Sequence, residues 1–241
     1  MIRTTRGLLT VLGLGLGLAG SLHPAAAGSD DGNVMVRVLG TVVDPETDAT
    51  VKAGGVVIPG ADADVSTEVI PALTLSYFFN KNLAVELFCC FAKHEIDGKG
   101  TIAPLGEIAD TWIFPPALTL QYHFTAMGAW KPYVGAGVQY IDFFDTGTGQ
   151  NRLGATKVTI DDAFGFTLQA GLDISIGNGW SFNADVKKTW LDTEVTWHNT
   201  ALGVNVVGDA DLDPWIFSVG LGYRFNLFGH GAEAAPLTPI K

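Results

Sequence analysis

Histidine, serine, cysteine and clustered acids are the side chains that could hold a metal or carry catalysis, and their arrangement here argues against both. His94 and His198 fall in polar stretches and His123 in an apolar one. No two stand at ligand spacing, so no metal site is expected. No serine lies in a recognisable nucleophile context with a histidine and an acid, so no enzyme and no cofactor is expected. Gly135-Ala136-Gly137 is not followed by a helix start and is no phosphate loop. Cys89 and Cys90 are neighbours in a strand-like run, where successive side chains point to opposite faces. A bond between them would be strained, and they read as two small apolar groups.

The ionisable residues become informative once their neighbours are considered. Arg37, Glu86, Asp173, Asp185, Lys187 and Arg224 each sit inside an apolar segment, at positions alternating with large hydrophobic ones. Leu212–Phe225, LDPWIFSVGLGYRF, is the clearest case. Trp215, Phe217, Val219, Leu221, Tyr223 and Phe225 make one greasy face, and the interleaved residues are mostly small, with Arg224 near the end. Period two means a strand with two unlike faces.

Composition says where the greasy faces go. Charged residues are 16% of the 241-residue chain, glycines number 30, and mean hydropathy is +0.27. Yet no apolar run of 18 or more residues follows the N-terminus, so no spanning helix is expected. A hydrophobic average without a hydrophobic block is the composition of a transmembrane β-barrel, whose lipid-facing residues occupy alternate positions. In a soluble eight-stranded barrel the apolar side chains would face inward under a charged exterior. Here the apolar faces are the longer and more uniform, and charges of both signs share the opposite face, where they can pair. Residues 1–27 read as a secretory signal: Arg3 and Arg6, an apolar core at Leu8–Leu18, and Ala25-Ala26-Ala27 as cleavage site. Its removal takes two arginines and moves the net charge from −11 to −13, which argues against nucleic acid as a partner.

Eight strands are expected: Asn33–Val43, Thr67–Phe79, Leu83–Lys93, Thr111–Phe124, Pro132–Phe143, Phe164–Ile176, Trp180–Val195 and Leu212–Phe225. Long polar connections, expected as loops, follow the first, third, fifth and seventh. Short turns, such as Gly177-Asn178-Gly179, follow the second, fourth and sixth. Such alternation belongs to an all-β, up-and-down, eight-stranded antiparallel transmembrane barrel with long outer loops and short periplasmic turns. One repeat is visible: PALTLSYFF at Pro71–Phe79 and PALTLQYHF at Pro116–Phe124 agree at seven of nine positions. Both end in Tyr and Phe, where an aromatic girdle would meet the interface. Pro71, Pro115 and Pro116 bring no N–H to a ladder.

FPPALTLQYHF (Phe114–Phe124), KPYVGAGVQYIDFFD (Lys131–Asp145) and LDPWIFSVGLGYRF, in this order and spacing, resemble the signature segments of the OmpW/AlkL family of outer-membrane proteins. The resemblance covers roughly Asn33–Phe225. It implies a barrel in the Gram-negative outer membrane with a narrow hydrophobic channel, open outside and closed toward the periplasm. It further implies passive uptake of small hydrophobic molecules with lateral release, and no catalytic residues. The chain departs from the family pattern after Phe225, where residues 226–241 form a tail rich in Gly, Ala and Pro. Family barrels end near the terminal aromatic that assists recognition by the assembly machinery.

Within that frame Arg37, Glu86, Asp173, Asp185, Lys187 and Arg224 are expected to form a paired polar cluster that plugs the lumen. Met35, Leu39, Ile70, Phe88 and Ile113 are expected to line a greasy funnel toward the long-loop rim. Pro115 and Pro116 are expected to weaken a seam through which an apolar solute leaves sideways. Partners are then outer-membrane lipid and lipopolysaccharide, small hydrophobic solutes and the assembly machinery. An alternative is a non-transporting structural or receptor barrel that binds through acidic outer residues Asp44, Glu46, Asp48, Asp62 and Asp64.

Overall fold

The computed structural model describes residues 32–227; the expected signal at 1–27 and all but the first two residues of the tail lie outside the described residues. Eight strands close into an antiparallel barrel: β1 (Val34–Asp44), β2 (Glu68–Phe78), β3 (Leu83–Cys90), β4 (Ala117–His123), β5 (Trp130–Gly147), β6 (Ala163–Gly177), β7 (Trp180–Trp190) and β8 (Trp215–Phe225). Each pairs with the next, and β8 returns to β1 in unbroken register from Val34↔Phe225 to Asp44↔Trp215. Closure leaves no free edge among the staves, which is what lets a sheet span lipid.

Side-chain alternation fixes which face meets lipid. On β2 and β4, Leu73, Leu75, Leu118 and Leu120 point outward, each about half exposed, while Ala72, Thr74, Ala117 and Thr119 are buried in the lumen. Tyr77 packs edge-on against Phe79 (5.5 Å, 76°), and Tyr122 against Phe124 (5.1 Å, 75°). The sequence repeat is therefore a repeat of lipid-facing surface and girdle. Its two mismatches, Ser76/Gln121 and Phe78/His123, are both inward positions, where neighbours differ around the lumen. The Gly177-Asn178-Gly179 turn has positive φ at all three residues (95°, 53° and 79°), the backbone that lets β6 reverse into β7.

The four outer connections are long, as expected, but they are built mostly of strand. Asp48–Ala53, Val56–Val57, Lys157–Ile160, Asp192–His198 and Val206–Asp211 form a five-stranded sheet. Ala61–Val65, Ala92–Gly100 and Glu107–Phe114 form a second wall that pairs with the outer part of β5. The polar and glycine residues that suggested loops sit on the solvated outer faces and at the hairpin tips. The inner faces supply an apolar cluster including Val51, Ile96, Ile108, Val158, Val195 and Trp197. Three staves expected to run on without a break are interrupted instead, at Phe91, at Pro115-Pro116 and at Leu191.

Candidate functional site: a plugged lumen beneath an apolar chamber

The lumen is layered, and the charged layer is built from five of the six expected residues. Arg37 is fully buried and forks across the barrel. Its Nε and Nη2 donate to the two carboxylate oxygens of Asp173 (3.1 and 2.6 Å), and its Nη1 donates to Glu86 Oε2 (2.7 Å) and Ser76 Oγ (2.8 Å). Lys187 Nζ donates to Asp185 Oδ1 (2.5 Å) and stands 3.6 Å from Glu86 Oε1. Gln169 Nε2 ties Glu86 Oε1 (2.9 Å) to Asp185 Oδ2 (2.7 Å), Tyr133 Oη donates to the same Asp185 oxygen (2.8 Å), and Asn183 Nδ2 donates to Asp173 Oδ1 (2.9 Å). Buried charges persist only when paired and hydrogen-bonded, and this network satisfies that condition across the lumen. Gln169, Tyr133, Asn183 and Ser76 were not foreseen as members. Their inward positions were legible, but their partners lie on other staves.

Arg224 does not join that layer. It sits at the short-turn rim, donating Nε to the Gly32 carbonyl (2.6 Å) with its guanidinium 3.6 Å above the Phe78 ring. Met35 is likewise at the wrong end for a funnel at the outer rim, packed with Phe78 and Ala84. The reason is direction: Val34 is paired with Phe225 and Tyr77, so β1 enters the barrel at the periplasmic rim and Met35 lies below Arg37. The lumen-facing glycines do not leave open space either. Gly171 receives the Tyr133 ring, and a methyl group at Gly171 would fall 2.3 Å from Tyr133 Cζ.

Above the charges the lumen turns apolar. Leu39 and Phe88 pack with Val43, Ala72, Cys90, Ala117 and Ile216, with Ile70 half-buried beside them. Lys187 Nζ lies 4.7 Å from the centre of the Phe88 ring, so the top of the plug is capped by aromatic carbon. Ile113 joins Ala92, Ile141, Ala163 and Leu191 in the next layer. Higher still, the outer strands enclose a chamber with about 790 Å³ of non-atom space, part of it open to solvent. Val51, Val65, Ile96, Ile113, Ile141 and Val195 line it with Trp197. A second apolar space of about 710 Å³ lies nearer the tips, lined by Ile58, Ile102, Leu105 and Leu202, and it shares Val51 and Trp197 with the chamber. Four polar side chains reach the chamber wall: Thr47, His94, Thr111 and Thr193. Burial pushes the His94 imidazole below its ordinary pKa, offset in part by the Ser66 carbonyl and the Glu68 carboxylate, so the ring is neutral near pH 7.

The prolines fall at a discontinuity in the wall. Pairing between β3 and β4 runs to Phe88↔Ala117 and resumes at Ala92↔Ile113, with Cys89–Phe91 facing Phe114–Pro116 between them. Among the described residues no main-chain hydrogen bond crosses that gap. On the other edge the chain is held, because Tyr140 N donates to the Pro116 carbonyl (3.0 Å) and Gln139 Nε2 to that of Pro115 (3.3 Å). The interruption at Leu191 is also sutured, by Leu212 N to Leu191 O (3.0 Å), Thr189 N to Pro214 O (3.2 Å) and Leu191 N to Asp213 Oδ1 (3.2 Å). The β3–β4 gap is closed on its lipid side by stacked Phe91 and Phe114 (4.9 Å), with Phe144 edge-on to Phe91.

The expected acidic surface is largely occupied in building the outer strands. Asp62 Oδ1 accepts from Ala49 N and Ala63 N, Asp64 pairs with Lys99, Glu46 with Lys188, and Asp44 accepts from Thr67 Oγ1. Asp48 instead joins a groove on the outer sheet with Asp161, Asp162, Asp192, Glu194, Asp209 and Asp211.

A closed barrel with an apolar outer belt, a charge-plugged lumen and an apolar vestibule is an outer-membrane barrel protein. Residues 30–225 match the OmpW family, and the chain belongs to it. It is 37% identical to the uncharacterized outer-membrane protein y4mB of Sinorhizobium fredii, over 86% of each chain. It is 31% identical to the outer membrane protein AlkL of Ectopseudomonas oleovorans, over 89% of this chain and 92% of that one. The crystal structure of the outer membrane protein OprG from Pseudomonas aeruginosa superposes with a TM-score of 0.76 at 32% identity, covering 83% of this chain and 98% of that one.

Proposed function

We propose that this barrel passes small hydrophobic molecules from outside the cell into the outer membrane. The observation that carries the reading is the stacking of an apolar chamber on a sealed polar layer, with the unladdered β3–β4 gap beside it. A solute that enters among the outer strands sheds water on aliphatic side chains, which is favourable in proportion to the apolar area buried. Going straight down would mean displacing paired charges that have no replacement partners. Going sideways means parting Phe91 from Phe114, an apolar contact whose loss lipid or solute can offset. Pro115 makes that exit cheaper because it offers β3 no N–H across the gap, and Pro116 lacks the corresponding donor toward β5. Lipopolysaccharide surrounding the outer strands and the machinery that inserts the barrel complete the expected partners. The test is uptake of a medium-chain alkane by cells with an intact outer membrane, with and without the protein at matched expression. Faster entry of the alkane, with no gain for a polar probe of similar size, is expected; equal rates for both would sink the reading.

The acidic groove around Asp48 and Asp209 favours a second reading, a receptor surface for a cationic partner. Replacing the outer strand 206–211 would abolish a receptor role and leave the lumen below it intact.

A further inference from the structure

A hydrophobic solute must reach the mouth before it can enter, and the surface around the mouth is not uniformly polar. On the strands and hairpins above the barrel many of the exposed side chains are carboxylates, Asp48, Glu95, Asp97, Asp192 and Asp209 among them. Across segments 44–68, 92–110, 145–162 and 191–213 the exposed large apolar side chains are Val56 (71%), Val57 (50%), Leu202 (63%) and Val204 (39%). All four stand on two hairpin tips that touch. Val56 and Val57 return against Ala53 and Lys52 after the Gly54-Gly55 turn, and Leu202 and Val204 flank Gly203. Gly54 N donates to the Asn205 carbonyl (3.0 Å), and a methyl group on Gly54 would fall 3.3 Å from Val204 Cγ1. Single exposed hydrophobic residues are ordinary; a group gathered on adjoining tips of an acidic surface marks a contact site. Leu202 also lines the apolar space nearer the tips, and so does Ile58, the residue after Val57. The exposed patch and the mouth are continuous through these two residues.

We propose that these tips are a landing surface for hydrocarbon in its own phase: a droplet settles on Val56, Val57, Leu202 and Val204, and single molecules pass from it into the mouth. Contact removes apolar surface from water on both sides, which is favourable in proportion to the area covered. Liquid hydrocarbon takes whatever shape the tips present and asks for no hydrogen bond or opposite charge. A folded partner would need a matching surface. A second copy of this chain would bring the same carboxylates to the contact, where like charges repel. A droplet carries no such charges, and it is the form that sparingly soluble hydrocarbons take in water. Continuity with the mouth gives the contact its use, since a molecule leaving the droplet beside Leu202 or Ile58 enters the barrel without first dissolving. The inference rests on the proposal that solutes enter at the mouth.

The test is the initial rate of octane uptake by cells bearing the full chain, with cells lacking it as the blank. Octane is offered in two ways: as water saturated with octane, and as the same saturated water with octane droplets dispersed in it. The dissolved concentration is equal in both, so the rate gained with droplets reports transfer by contact. The intact protein is expected to show such a gain. Val56→Thr, Val57→Thr and Val204→Thr, combined, keep the branched shape and place a hydroxyl on each exposed tip residue. The triple variant should lose most of the gain, about five-fold or more, because three apolar contacts become polar. Its rate on dissolved octane and its barrel abundance should match the parent. Replacing the same three valines with Leu should keep the gain. A gain that is absent from the intact protein, or that survives the threonine variant, overturns the landing surface and leaves the uptake reading standing. An equal fall in both rates also overturns it, since the valines would then serve single dissolved molecules. A dimer of the solubilised protein that the threonine variant abolishes overturns it in favour of a second copy as the occupant. If the protein raises neither rate above the blank, the landing surface and the uptake reading both fall.

Discussion

Trp197 Nε1 donates to the main-chain carbonyl of Ile108 at 2.8 Å, joining the five-stranded outer sheet to the wall opposite it. The indole is buried and belongs to both apolar spaces, so it is the partition between the mouth and the chamber as well as a tie between two sheets. Trp197→Phe should keep the partition and lose the tie. It leaves the buried Ile108 carbonyl without this partner, at a cost of about 1–3 kcal/mol, read by urea unfolding in lipid vesicles. Trp197→Ala should also merge the two spaces. Uptake measured over a size series should then gain most for the bulkiest apolar solutes, and an unchanged size profile would show that the indole is not the constriction.

Arg37 is the member whose loss should unmake the plug. Arg37→Met leaves Asp173 and Glu86 without their forked partner in a layer that excludes water. Removing one side of a buried pair costs about 3–5 kcal/mol. The remaining carboxylates would draw in water and cations, so ion conductance in planar bilayers should rise above that of the intact barrel. Arg37→Lys keeps the charge but cannot contact both carboxylates through a rigid fork. It should fall between the two in both measurements.

The lipid face was readable from sequence because one force acts on every alternate residue: apolar outward, period two, with aromatic ends. That is why the staves, the repeat and the inward position of Arg37 and Glu86 follow from pattern alone. What pattern could not supply is height within the lumen. Met35 and Leu39 are both inward on β1, but one lies below Arg37 and the other above it, because the strand enters from the periplasmic rim. Arg224 is inward too, yet it belongs to the floor. Gln169 was invisible as a bridge since Glu86 and Asp185 come to it from different staves. The outer strands were read as loops because their polar residues face water on one side only, and short alternating runs such as Asp48–Ala53 carry weak periodicity.

Gly171 and Tyr133 offer a check on packing inside the plug. The ring covers the glycine across the β5–β6 pair, and its hydroxyl reaches Asp185 only because no Cβ intervenes. Gly171→Ala should push Tyr133 away and weaken its bond to Asp185, destabilising the barrel by about 1–3 kcal/mol. Adding Tyr133→Ala to Gly171→Ala should cost less than the sum of the single changes, since the clash disappears with the ring. Additive effects in the unfolding experiment would mean the ring had already moved aside.

The seam makes the sharpest demand on the uptake reading. Pro116→Thr and Pro115→Val each restore an N–H where the wall has none, at residue 115 toward Cys90 of β3 and at residue 116 toward Tyr140 of β5. Register continues unchanged across the gap, so the donor restored at residue 115 faces the Cys90 carbonyl of β3 without a shift of strand, while the donor restored at residue 116, whose carbonyl already accepts from Tyr140 N, faces Tyr140 on β5. The double variant should therefore unfold at equal or higher urea concentration than the parent, and its wall should be harder to part. If solutes leave through this gap, alkane uptake by intact cells should slow in the double variant while barrel abundance is unchanged. Replacing Phe91 with Ala should act the opposite way, since it removes the ring that stacks on Phe114 over the gap. Slower uptake in the first variant and faster uptake in the second would locate the exit. Unchanged uptake in both would move it elsewhere on the wall, and the sutured break at Leu191 would be the next place to cut, by replacing Asp213 with Ala to remove its bond to Leu191 N.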